Sequence, residues 1–174
     1  MTKLSLLLLV LLLPYKSYSD QTVNVDAINV SKTAALIYKL YFFVDFPSSS
    51  DIPKYCFVGK NSFGVAKVLL DQQKNNQLKT KIKVSKWQSP SEIDPKMCNV
   101  IYSAPSSADD KDLFQELSKL VLTVSNSVEL RETGHISSIT YQDEEAVLSF
   151  SRKNLKRSAI LVNSQLIRNS DLRP

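Results

Sequence analysis

The sequence predicts an α/β fold: a single-domain α/β sandwich with a mixed sheet flanked by helices. Three observations predict it. Apolar segments with helical spacing alternate along the chain with short β-branched runs. The 174 residues contain no internal repeat and no Pro/Gly-rich linker, which favours one domain. Hydrophobic residues make up 43% of the chain, enough to bury a core.

The N-terminus has the pattern of a secretory signal peptide, which we place at residues 1–19. A lysine precedes an apolar stretch, Leu4 to Leu13, that only Ser5 interrupts, and small residues ending in Ser19 precede Asp20. The run is too short to span a membrane, which takes roughly 20 apolar residues. We therefore expect export, cleavage near Ser19/Asp20, and a mature domain over residues 20–174.

The net charge does not identify a partner class. The whole chain carries a net charge of +5, and loss of the two lysines in the predicted signal peptide leaves about +3. A charge this small gives no evidence for a polyanionic partner. Export argues against nucleic acid as the partner.

The two cysteines, Cys56 and Cys98, each lie in a strand-like run. In an oxidising compartment outside the cytoplasm, such a pair is typical of a structural disulfide. Redox catalysis would favour a C-x-x-C spacing, which is absent.

The first helix of the mature chain is predicted to begin at Ser31 or Thr33 and to end near Asp45, before Pro47. It is apolar nearly all round and only about 14 residues long, which favours burial in the core over a membrane span. Part of it could instead face a partner, including a second copy of the chain, through exposed aromatic rings. The aromatic side chains that we select are Tyr38, Tyr41 and Phe42.

The middle of the chain alternates strands and helices. "KYCFVG" is predicted to be a buried strand, and Asn61 or Ser62 is predicted to cap a helix over "FGVAKVLLDQQKN". "LKTKIKVSKW" alternates lysine with apolar residues, which is typical of an edge strand. "NVIYSA" is predicted to be a buried strand, followed by a helix with Asp109, Asp110 and Asp112 in its first turn.

The last third is predicted to begin with a central strand, "LVLTVSN", because it is apolar and β-branched. "HISSITYQ" and "EAVLSFSR" indicate a hairpin that turns at Asp143-Glu144. A final amphipathic segment, "NLKRSAILVNSQLI", is predicted to be helical.

The sequence offers little for catalysis. His135 is the only histidine, which excludes a histidine-rich metal site, and no G-x-S-x-G turn presents a serine to it. We interpret His135 as a loop or strand-start residue. The acidic run at Asp143–Glu145 is typical of a solvated turn. We therefore predict no catalytic residues, no metal and no cofactor.

The sequence resembles the YfiR/HmsC family of periplasmic regulatory proteins over about residues 31–168. "KTAALIYKLYFFVDFP" is similar to the family's opening signature. "YCFVGKNSFG" and "CNVIYSAPSS" resemble its two cysteine-bearing strands, and "VLTVSN", "TGHISSI" and "AVLSFSRKNLKRSAILVNSQLI" follow in the family's order. The chain departs from the family at Phe46 (usually tryptophan), Asn126 (usually aspartate), Thr133 (glycine) and His135 (methionine).

The resemblance implies regulation rather than catalysis. Family members bind the periplasmic region of an inner-membrane diguanylate cyclase and hold it inactive, which lowers cyclic di-GMP and biofilm formation. The expected partner is such a cyclase or a similar signalling receptor, and the resemblance also admits an outer-membrane lipoprotein. Besides the aromatic residues of the first helix, we select Gly134 and His135 as partner-binding residues.

Two alternatives stay open. An α/β sandwich could hold a small ligand at its strand ends, where such folds tend to bind, which would make the chain a periplasmic small-ligand sensor. A secreted enzyme is the other, disfavoured by the single histidine and the three glycines.

Overall fold

The computed structural model describes residues 25–47, 51–104, 110–127, 129 and 133–173. The predicted signal peptide and Asp109 lie outside these ranges. The described helices are α1 (Val25–Leu40), α2 (Phe63–Lys74), α3 (Lys111–Leu117), α4 (Arg152–Arg157) and α5 (Ser164–Arg168). The described strands are β1 (Val44–Asp45), β2 (Lys54–Val58), β3 (Lys83–Trp87), β4 (Val100–Ser103), β5 (Leu122–Ser125), β6 (Ser137–Gln142), β7 (Glu145–Ser151), β8 (Leu161–Val162) and β9 (Asp171–Arg173).

The main sheet is mixed and has the order β3-β2-β4-β5-β6-β7-β9. The first five strands are parallel, β7 pairs antiparallel with β6, and β9 pairs parallel with β7. A single α/β domain with a mixed sheet and flanking helices is therefore confirmed. β3 lies at one edge and β5 is the fourth of the seven strands, as the lysine alternation and the β-branched composition predicted.

Successive side chains of a strand point to opposite faces of the sheet, and this divides the core into two layers. In β2, Tyr55 and Phe57 point to the layer that α1 and α2 cover. Cys56 and Val58 point to the opposite layer, where they pack with Phe114 of α3. Both layers are buried because the central parallel strands are covered by helices on both faces.

The hairpin β6–β7 turns where the sequence predicted. Asp143 and Glu144 form its two-residue turn, with positive φ angles of 47° and 65°. Positive φ at both central residues is the requirement of a type I′ turn, whose twist matches that of the paired strands.

The predicted bounds of the first helix were wrong at both ends. α1 begins at Val25, so Thr33 is an interior residue whose Oγ1 lies 2.7 Å from the hydroxyl of Tyr141 on β6. After Leu40 the chain forms a short 3₁₀ turn, and Val44–Asp45 then pairs with Leu161–Val162. Both differences depend on contacts with residues more than 100 positions away in the sequence.

The predicted continuous helix over the final amphipathic segment was also wrong. α4 ends at Arg157, Ile160 is buried, and Leu161–Val162 forms β8 before α5 begins. The apolar Ile-Leu-Val run fits a strand, because β-branched side chains pack well in paired extended backbone. Pairing with β1 decided between the two structures.

Candidate functional site

The disulfide between Cys56 and Cys98 is present in the structure, as predicted. The two Cα atoms are 5.8 Å apart, and both cysteines are almost fully buried. Parallel pairing of β2 with β4 sets this distance, because Cys56 pairs with Ile101 and Cys98 lies just before β4.

Tyr38 holds the C-terminal end of α1 in place. Its side chain is only 9% exposed, and its hydroxyl accepts hydrogen bonds from the backbone N–H groups of Lys79 (3.1 Å) and Thr80 (3.3 Å). The hydroxyl of the buried Tyr55 donates to the Tyr38 carbonyl at 2.9 Å. Tyr38 thus joins α1 to the segment before β3, and little of its side chain is available to another molecule.

Phe42 is the exposed member of the aromatic set. It is 52% exposed, and its ring packs edge-on against Tyr38 (5.2 Å between centroids) and Tyr41 (5.4 Å). Tyr41 stacks on Phe46 at 5.3 Å. Packing on one side therefore orients the Phe42 ring, while its other side faces solvent.

A groove with a volume of about 700 Å³ lies beside Phe42, and we call it the aromatic groove. Its walls come from the last turns of α1 and from the segment after α2, which Tyr38 ties together. The residues that line it are Ala35, Tyr38, Lys39, Phe42, Phe43, Gln72, Gln77, Leu78 and Lys79. Apolar walls with two exposed lysines suit an apolar segment that is accompanied by acidic groups.

Gly134 and His135 do not lie on this surface, and both are buried. Gly134 has φ = 75°, and a Cβ atom there would collide with the backbone carbonyl of Lys111 and lie 3.1 Å from the backbone nitrogen of Gln115. Among the described residues, α3 packs closely against this segment. Partner contact through Gly134 and His135 stays a prediction, which their burial does not favour.

His135 is a buried, neutral histidine. Its Nδ1–H donates to the Thr133 carbonyl at 2.9 Å, so Nε2 is left to accept from the Ser103 hydroxyl at 2.7 Å. Its ring packs on Phe114, and Asn154 Nδ2 donates to its carbonyl. Burial lowers the pKa of His135 to about 3, and the hydrogen bond to Thr133 opposes that shift.

This arrangement joins elements rather than presenting a nucleophile. Ser103 ends β4 and His135 precedes β6, so their hydrogen bond connects two strand ends across the end of β5. A catalytic triad would place a carboxylate at Nδ1, and a backbone carbonyl occupies that position. His135 lies in the loop just before β6, as the interpretation of it as a loop or strand-start residue expected.

Within the described residues, no group of three or more histidine, cysteine or acidic side chains could hold a metal ion. In the same part of the chain, no helix has the length and apolar content needed to cross a membrane.

Comparison with solved structures supports the fold. A crystal structure of a conserved domain protein from Vibrio cholerae matches with a TM-score of 0.51 and 10% sequence identity. The match covers 83% of this chain and 60% of the other, so the chain spans about three fifths of the length of that relative. At this identity the likeness concerns the fold alone.

Comparison of the sequence with curated proteins finds no significant match. The model of the YfiR/HmsC-like family, however, matches residues 31–171, from the middle of α1 to the start of β9. This range agrees with the one over which the motifs resemble the family. The chain therefore belongs to the YfiR/HmsC-like family.

Proposed function

We propose that this protein is an exported regulator that binds the periplasmic region of an inner-membrane diguanylate cyclase and holds the cyclase inactive. Binding would lower cyclic di-GMP and restrain biofilm formation. The family match over residues 31–171 carries the proposal, because the family has a periplasmic regulatory role. The disulfide is consistent with export, and we propose cleavage near Ser19/Asp20 to give a mature chain of residues 20–174.

The mechanism needs no chemistry from this chain. A receptor that exchanges between active and inactive states shifts toward the state to which a partner binds more tightly. The strength of repression is then set by the ratio of the two affinities. A rigid protein with a preformed surface suits this role, because little conformational entropy is lost on binding.

We propose the aromatic groove as the surface that meets the cyclase. Binding energy at protein interfaces concentrates in a few aromatic or arginine side chains that enter pockets on the partner. Phe42 is half exposed and already oriented by Tyr38 and Tyr41, so its burial would cost little side-chain entropy. Lys39 and Lys79 would favour acidic residues on the cyclase.

The test compares Phe42→Glu with a matched control, Leu120→Glu. Leu120 is 47% exposed and lies after α3, against the opposite layer of the core. In a strain that lacks the gene, the wild type and Leu120→Glu should restore low cyclic di-GMP, whereas Phe42→Glu should not. Purified Phe42→Glu should bind the periplasmic region of the cyclase at least tenfold more weakly, with an unfolding midpoint near that of the wild type.

Two results would count against these proposals separately. Loss of binding in Leu120→Glu with none in Phe42→Glu would place the partner on the opposite face, and the groove would be wrong. An unchanged cyclic di-GMP level after deletion of the gene would contradict the regulatory role itself.

A further inference from the structure

A second concave surface lies at the carboxyl ends of the parallel strands. β2, β4 and β5 end in register at Val58, Ser103 and Ser125. Beyond them lies a pocket of about 440 Å³, to which Asn61 contributes from the segment after β2 and Asn126 from directly after β5. We call it the strand-end pocket. In open α/β sheets, the carboxyl ends of the strands are the usual place for a ligand.

The described residues that line this pocket carry no charged side chain. Its polar groups are amides and hydroxyls, from Asn29, Asn61, Asn126, Thr33, Thr140, Tyr102 and Tyr141. Its apolar part is a strip formed by Val30, Val65 and Ile139. Burial raises the pKa of both tyrosines, that of Tyr102 to about 12, so both phenols stay neutral. Such walls offer hydrogen bonds in several directions but no counter-ion.

One polar atom in the wall has no hydrogen-bond partner among the residues that the structure describes. Asn29 Oδ1 is buried and accepts no hydrogen bond from the described residues. The backbone carbonyl of Asn29 is occupied, because the Tyr141 hydroxyl donates to it at 2.8 Å. A buried acceptor without a donor costs free energy. Rotation of the Asn29 side chain toward the pocket would let an O–H or N–H group of a ligand donate to this oxygen and remove that cost.

We propose that the strand-end pocket binds a small uncharged polyhydroxylated molecule, of the size of a monosaccharide. Hydroxyl groups of the ligand would pair with the three asparagine side chains, and its C–H face would lie on the apolar strip. A volume of about 440 Å³ is within the range of small-molecule sites. The lack of charged side chains among the described lining residues selects against phosphorylated and carboxylated molecules.

This pocket is distinct from the surface proposed for the cyclase. Asn29 and Phe42 lie near opposite ends of the segment that begins with α1, and 13 residues at a helical rise of 1.5 Å put them roughly 20 Å apart. Ligand binding at one site and partner binding at the other can therefore be tested by separate variants.

The experiment uses the purified mature protein with its disulfide intact. Saturation-transfer NMR is recorded with D-glucose, D-galactose, D-mannose and myo-inositol, each at about 10 mM, and with glucose 6-phosphate as the charged counterpart. We expect saturation transfer to at least one neutral compound and none to glucose 6-phosphate. Asn61→Ala and Asn126→Ala remove exposed pocket amides and should each weaken binding at least tenfold.

Gln77→Ala is the matched control, because Gln77 is an exposed amide that lines the aromatic groove instead. It should bind the ligand as the wild type does, and so should Phe42→Glu. Absence of transfer to all four neutral compounds, tighter binding of glucose 6-phosphate, or equal loss in Asn61→Ala and Gln77→Ala would overturn the proposal. Phe42→Glu protein that loses repression but keeps ligand binding would separate this site from the proposed cyclase surface.

Discussion

At the scale of single residues, glycine is required at position 134 for two reasons. Its φ of 75° lies in the left-handed region, and a side chain would meet the α3 backbone at Lys111 and Gln115. Neither obstacle can relax without moving a helix. The family has two adjacent glycines in the segment that corresponds to "TGHISSI". Thr133 replaces the first of them, and the second is retained as Gly134.

We predict that Gly134→Ala lowers the free energy of unfolding by about 2–4 kcal/mol, from backbone strain and overpacking together. Urea denaturation of the purified protein measures it. Gly64→Ala is the control, because Gly64 lies in α2 with only Val30 Cγ1 near the added methyl group, at 3.8 Å. That variant should be as stable as the wild type, or about 1 kcal/mol more stable. Similar losses in both variants would contradict the steric argument.

The depressed pKa of His135 predicts a dependence of stability on pH. The unfolded chain protonates this histidine below its ordinary pKa of 6.5, whereas the folded protein does so only near 3. As the pH falls through this interval, the unfolded state binds more protons and the free energy of unfolding falls by up to about 1.4 kcal/mol per pH unit.

Denaturation curves at pH 7.5, 6 and 5 measure this slope, with His135→Gln as the reference. The variant should be less stable than the wild type at pH 7.5. Because glutamine does not titrate, the variant should lose less stability than the wild type on acidification. Parallel pH profiles for the two proteins would show that His135 is not the titrating group.

At the scale of elements, the N-terminal half of α1 depends on one tyrosine. The Tyr141 hydroxyl on β6 donates to the Asn29 carbonyl and lies 2.7 Å from Thr33 Oγ1, and Lys32 Nζ donates to the Glu144 carbonyl in the hairpin turn. The hairpin therefore orients this part of α1. The residues before Ser31 have only modest helix propensity, which is why the predicted helix began too late.

We predict that Tyr141→Phe costs about 1–2 kcal/mol of stability, because it removes two hydrogen bonds, each with a net value of about 1 kcal/mol. Amide hydrogen exchange should become faster in the first turns of α1 and stay unchanged in α2. Thr33→Val removes the same contact from the other side, so the double variant should lose less than the sum of the two single variants. Strict additivity would show that the two hydroxyls do not interact.

Other elements differ in how far they could be predicted. The edge strand β3, the central strand β5 and the β6–β7 hairpin were predicted correctly, because lysine alternation, β-branched composition and an acidic two-residue turn are local signals. β8 was missed, because its strand character comes from pairing with β1 far away in the sequence.

At the scale of the whole molecule, the disulfide joins two neighbouring strands and closes a loop with a sequence separation of 42. We predict that the Cys56→Ser/Cys98→Ser variant is less stable by about 4 kcal/mol, since the reduced unfolded chain regains the entropy of that loop. Denaturation with and without dithiothreitol measures it. The reductant should destabilise the wild type and leave the stability of the variant unchanged. Equal stability of the wild type and the variant in the absence of dithiothreitol would contradict the prediction.

The candidate site was only partly predictable from the sequence. Aromatic richness at the end of α1 pointed to Tyr38, Tyr41 and Phe42, but it could not tell the structural Tyr38 from the half-exposed Phe42. Gly134 and His135 were selected because their segment resembles a family motif, and their burial depends on where α3 packs. The strand-end pocket gathers isolated asparagines from several segments, and no local pattern marks them.

The sequence by itself determined the fold class, the cysteine pair and the family, because periodicity, composition and motif order are properties of the linear chain. The tertiary structure alone decided which aromatic ring faces solvent, where α1 begins, and that the Ile-Leu-Val run forms a strand. Each of these depends on contacts between residues distant in sequence, and burial is a property of the packed molecule rather than of a side chain's chemistry.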